Sequence, residues 1–101
     1  MRETHRVFIA TYIVASGRNG TLYTGMSSNL YERVWQHKIG HFEGFTADYR
    51  CRTLVWYQPF ESVVAAIKRE KQIKHWLRTW KLKLIETENP EWRDLSEGWF
   101  D

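Results

Sequence analysis

The sequence predicts an α+β fold with the element order β-β-α-β-α-α. Three observations carry that expectation. Two β-branched and aromatic runs flank the turn-forming "SGRNG" of residues 16–20. A third such run, "TLVWYQPF", occupies 53–60. Elsewhere apolar residues recur at steps of three and four, the period of a helix packed on one side. A chain of 101 residues has room for one small domain around one core.

Residues 7–15, "VFIATYIVA", are apolar at both parities, so this strand should be covered on both faces and lie centrally. Asn19 and Gly20 can take the positive φ of a tight turn, after which "TLYTGM" pairs back as the second strand of a hairpin. A four-residue loop at 16–19 would set Tyr12 directly opposite Tyr23. Asn29 caps the next helix, with Glu32 completing a capping box. Leu30, Arg33, Val34 and His37 fall on one stripe of that helix, and Gly40 ends it. "HFEGFTADYRCR" reads as a loop, and "TLVWYQPF" as the third strand, with Pro59 near its end. Ser62 opens a second helix whose inward stripe runs Val63, Ala66, Ile67, Glu70, Ile73 and Leu77, closing at Trp76 or Leu77. "TWKLKLIETE" forms a third. The core then spans about 6–88 of one domain, and the irregular tail 89–101 brings Trp92, Leu95 and Trp99 back onto it.

One cysteine, Cys51, excludes an internal disulfide and any multi-cysteine zinc site, and suits a reducing, cytoplasmic setting. No signal peptide opens the chain, and the longest apolar run is too short to span a bilayer, so no membrane partner is expected. The net charge of +3 is unevenly spread: residues 61–85 carry seven Lys and Arg against two acids, and 86–101 one against six. Basic residues interleaved with Trp76 and Trp80 suit a phosphate-rich partner, although a solvated helix face is the simpler reading. Lys68, Arg69, Lys71 and Lys74 are the candidate phosphate contacts, and Gly25 offers either close backbone approach or a bend.

Glu70 stands out because a carboxylate on an apolar stripe must meet a cation, protonate or bind a metal. Its partner would be Arg33, His37 or a metal, unless it merely leans out between Arg69 and Lys74. Two strand tyrosines, a helical arginine, a histidine four residues on and this acid converge as either a satisfied structural cluster or a site.

The order of these residues, with "NGTLYTG", "GFT", "REKQIK" and "NPEWRDLSE", closely resembles the GIY-YIG (URI) nuclease superfamily, and most of all its small stand-alone bacterial members. Ala10-Thr11-Tyr12 stands where the family has Gly-Ile-Tyr, and Tyr23-Thr24-Gly25 where it has Tyr-Ile-Gly. The resemblance implies a three-stranded antiparallel sheet flanked by helices, and hydrolysis of DNA phosphodiesters with one Mg²⁺ or Mn²⁺ ion. It assigns Glu70 to the metal, Arg33 to charge on the phosphate, and Tyr12 to activation of water. Tyr23 is then its hydrogen-bond partner or the alternative base, His37 a proton relay or phosphate ligand, and Asn89 the best match for a late asparagine. A phenol with its ordinary pKa of about 10 is a poor base at neutral pH, so neighbouring positive charge is expected to lower it. One site per chain implies nicking by a monomer, with a dimer as the alternative. The competing functions are a nucleic-acid-binding module with little or no cleavage, and a small protein-interaction domain using the acidic tail and exposed tryptophans.

Overall fold

The computed structural model describes residues 7–40 and 50–100. The elements are β1 (Ile9–Ala15), β2 (Leu22–Ser27), α1 (Leu30–Lys38), β3 (Thr53–Phe60), α2 (Val63–Lys74) and α3 (Arg78–Glu88). They reproduce the expected α+β order. Residues 41–49 of the expected loop, with His41 and "GFT", lie outside the described residues, as does Arg6 at the expected edge of the core.

The strands form one antiparallel sheet in the order β2-β1-β3. The central place of β1 follows from its sequence: Ala10 through Ala15 are all buried, so both faces must be covered. Exposed Val7 falls outside the strand. One face packs Ala10, Tyr12 and Val14 against Leu30 and Val34 of α1. The other packs Ile13 and Ala15 against Ile73 of α2 and Ile85 of α3. Among the described residues no helix is long and apolar enough to cross a membrane.

The hairpin register differs from expectation. Ser16 donates its backbone N–H to Thr21, so the ladder closes one pair later and the four-residue loop is 17–20, with Asn19 at φ 57°. Moving the loop by one residue slides the pairing by two: Tyr12 faces Gly25, and Tyr23 faces Val14. Both tyrosines keep the same sheet face but are diagonal rather than opposite.

Between β1 and β3 the register shifts at Ile13/Val14, which pair with Trp56 and Leu54. Val55 is the extra residue of a bulge, and it joins Trp56 in the second core cluster. The helices begin at the expected caps, the Asn29 side chain accepting from the Glu32 N–H and Ser62 from Ala65, but the capping box is half formed because the Asn29 N–H donates to the Ser27 hydroxyl rather than to Glu32. Gly40 follows α1 at φ 70°, a left-handed backbone that a glycine adopts without strain. In α2 the inward stripe is narrower than expected. Ala66 and Ile73 are buried, but Val63 and Leu77 are exposed because the helix stops at Lys74 with His75 as its cap, and Leu77 instead precedes α3.

The tail returns over β3. Leu95 keeps its side chain exposed but donates its N–H to the Leu54 carbonyl. Trp92 is buried in the second core, while Trp99 contacts Phe8, Tyr31 and Tyr57. An ion pair between Lys38 and Asp94 ties α1 to the same segment, and the Lys38 ammonium also donates to the Arg52 carbonyl.

Candidate active site

The site is built at the β2 edge of the sheet, starting from the missing side chain of Gly25. A Cβ at Gly25 would lie 2.7 Å from the Tyr12 hydroxyl and 3.0 Å from the Tyr23 ring. Gly25 thus lets the Tyr12 phenol lie across the edge strand, a packing role with no φ requirement. Tyr12 is fully buried, and its hydroxyl is 2.9 Å from Nε2 of His37. The rings of Tyr12, Tyr23 and His37 form a triangle with centroid separations of 5.5–6.5 Å.

Arg33 and His37 reach this triangle because they lie one turn apart on α1, whose Leu30 and Val34 are anchored in the core. The Arg33 guanidinium hydrogen-bonds the Tyr12 side chain. Since arginine only donates, the Tyr12 oxygen accepts from it. Burial and Arg33 together lower the His37 pKa from 6.5 to about 4, so the imidazole is neutral at pH 7. Its Nε2 can then accept the Tyr12 proton.

The expectation that nearby positive charge lowers the Tyr12 pKa is corrected. Burial raises it well above its ordinary value, Tyr23 and Glu70 add to the rise, and Arg33 offsets only part. Desolvation of the phenolate outweighs one guanidinium. The resting Tyr12 is a neutral phenol.

Glu70 belongs to α2, which covers the opposite sheet face, yet its carboxylate lies close enough to act on the Tyr12 phenol. The edge strand is where the two layers meet: the Lys74 ammonium is 6.0 Å from the Tyr23 ring centroid and 2.8 Å from Glu70. Of the partners open to Glu70, the one it takes is Lys74, four residues on. The Glu70 side chain is 18% exposed, so it is partly buried.

The remaining candidates fall elsewhere. Arg69 donates to Gln58 and Gln72 and lies over the Trp56 and Trp76 rings. Lys68 and Lys71 are exposed on α2. Asn89 is buried; its amide donates to the Val55 and Arg93 carbonyls and its oxygen accepts from the Arg93 N–H. Val55 is the bulge residue that lacks a partner on β1, so Asn89 closes the gap left by the bulge. Among the described residues no group of three or more His, Cys, Asp or Glu side chains could hold a metal. Among the described residues an ion here would take one carboxylate, that of Glu70. A hard, hydrated divalent ion fits such a sparse oxygen site, whereas zinc in a closed site does not.

Sheet order, helix placement and this cluster define a catalytic domain of the GIY-YIG class, a nuclease class: residues 8–83 match the family described as the GIY-YIG catalytic domain, and the chain belongs to it. Within that class it is similar to small UPF0213 proteins of staphylococci. It is 38% identical to one from Staphylococcus saprophyticus over 73% of this chain and 89% of the relative. It is 37% identical to one from Staphylococcus haemolyticus over 74% and 90%, and 38% identical to one from Staphylococcus aureus over 73% and 89%. No solved structure matches the chain.

Proposed function

We propose that this chain is a divalent-metal-dependent endonuclease that hydrolyses phosphodiester bonds in DNA with structural or weak sequence preference. The observation that carries the reading is the acid of one layer meeting the phenols of the other at the sheet edge: Glu70 pairs at 2.8 Å with Lys74, whose ammonium is 6.0 Å from the Tyr23 ring of the Tyr12–Tyr23–His37 triangle. A pure binding module gains nothing from a carboxylate near phosphate, where it repels.

Glu70 would hold Mg²⁺ or Mn²⁺. When bound, the ion supplies positive charge for the scissile phosphate and its leaving oxygen. The chain's own residues handle the proton. As Arg33 leaves the buried Tyr12 oxygen, a water takes its place and gives that oxygen a proton while Tyr12 passes its own to Nε2 of His37, so no free phenolate forms. The water oxygen bonds to phosphorus, the P–O bond opposite breaks, and the departing oxygen takes a proton from solvent. The phosphate's negative charge favours protonated His37, raising its low resting pKa as the relay requires. Arg33 leaves the Tyr12 oxygen for the charge gathering on the phosphate, and its planar fork suits two phosphate oxygens.

The test is a panel of branched, single-stranded and supercoiled DNA with Mg²⁺ or Mn²⁺. Nicking or cleavage is expected with the wild-type chain and should vanish in Glu70→Ala, with circular dichroism unchanged. Arg33→Ala should lose rate more than binding, because its phosphate contact matters chiefly in the transition state. No cleavage of any substrate by the wild type, or equal cleavage by Glu70→Ala, would refute the proposal.

A further inference from the structure

We infer that Lys74 and Lys81 form a second phosphate site beside the candidate active site, holding the backbone phosphate next to the one being cut. The inference rests on the nuclease reading and adds to it where the DNA strand runs. A recess of about 260 Å³ lies between the start of β2 and the α2–α3 junction, lined by Leu22, Tyr23, Thr24, Lys74 and Lys81. The topology makes it: β2 is an edge strand with no strand on its outer flank, and the end of α2 and the first turns of α3 pass beside it.

The lining chemistry favours an anion. Two lysines line the recess, and among the described residues no acidic side chain does. Thr24 adds a hydroxyl, and Leu22 and Tyr23 form the apolar wall. Lysine suits a rotating phosphate as a point charge rather than a planar fork. Position then selects a nucleic-acid phosphate over a free acid, because Tyr23 is shared between the recess and the Tyr12–His37 triangle. A strand with one phosphate at Arg33 and Tyr12 continues past Tyr23 into this recess.

Lys74 links the two places. Without substrate its ammonium neutralises Glu70 at 2.8 Å. Once Glu70 serves a cation, Lys74 loses that counter-charge, and a phosphate in the recess restores it. The Glu70–Lys74 pair thus spares the free protein a partly buried lone carboxylate and yields its lysine to DNA.

The test needs no cleavage. Binding of a fluorescent DNA oligonucleotide to the folded chain is measured by anisotropy, in chelator, over a salt series. Lys81→Gln should weaken binding about tenfold and reduce the magnitude of the log–log salt slope by about 0.9, the share of one phosphate on duplex DNA. Arg93→Gln, exposed on the tail and outside the recess, should change affinity less than twofold. Glu70→Gln should tighten metal-free binding by freeing Lys74, and adding Lys74→Gln should cancel the gain. Equal losses in Lys81→Gln and Arg93→Gln, or no gain in Glu70→Gln, would overturn the recess while wild-type binding keeps the nuclease reading. A wild type that binds no DNA would remove both.

Discussion

Gly25 is the residue on which the site geometry turns. The Tyr12 ring lies against the place where a Gly25 side chain would begin, and His37 stands edge-on to that ring, so the phenol cannot easily yield. Gly25→Ala should therefore cost about 1–3 kcal/mol from overpacking and lower the melting temperature, and it should reduce cleavage further by displacing the hydroxyl. Adding Tyr12→Phe removes the nearest atom and should recover part of the stability; failure to recover any would mean the strain lies elsewhere. His37 supplies a pH signature. Its pKa falls from 6.5 to about 4 on folding, so between those values the unfolded chain binds more protons than the folded one. Stability from this group is complete above about 6.5 and declines as pH falls toward about 4. Thermal melts from pH 7 to pH 4 should show that decline, and His37→Gln should flatten it. An unchanged profile in the variant would place the acid sensitivity in other groups.

At the scale of elements, α1 matters because it alone delivers Arg33 and His37. It has nine residues, too few to be stable without help, so its start depends on the Asn29 cap and its seat on Leu30 and Val34. Asn29→Ala should cost about 1 kcal/mol, read as a lower denaturation midpoint with an unchanged m-value. Cleavage should fall with it as the first turn loosens, and an unaltered midpoint would show the cap to be dispensable. This helix was legible in the sequence through the capping box and the Leu30-Val34 stripe. In α2 the same reasoning overreached. Val63 and Leu77 fit the helical period but sit at or beyond the helix ends, where the sheet no longer covers them. Periodicity reports which residues share a side, not where the neighbouring layer stops.

The whole molecule is held by its tail as well as by its sheet. Asn89 closes the bulge in β3, Trp92 enters the second core and donates its indole N–H to Glu86, and Trp99 reaches the aromatic cluster around α1. Removing the amide in Asn89→Ala would leave the Val55 carbonyl and the Arg93 backbone without these bonds. We expect a loss of about 1–3 kcal/mol and a lower melting temperature, with DNA affinity per folded molecule unchanged. An affinity loss at full folding would instead assign Asn89 to the substrate. The motif order alone matched this residue to a late asparagine and showed nothing of its bonds, because the bulge that employs its amide arises only where β3 meets β1.

Strand and helix order, the buried centre of the sheet and the identity of the clustered residues could all be read from the chain, since periodicity, caps and motif spacing are local properties. Tertiary structure alone decided the diagonal placement of the tyrosines, the approach of Lys74 to the Tyr23 ring, and the raised pKa of Tyr12. Each depends on a ladder closing one residue later, on two layers meeting at a sheet edge, or on the removal of water. Those are distances and dielectric surroundings between segments remote in sequence, and no local pattern encodes them.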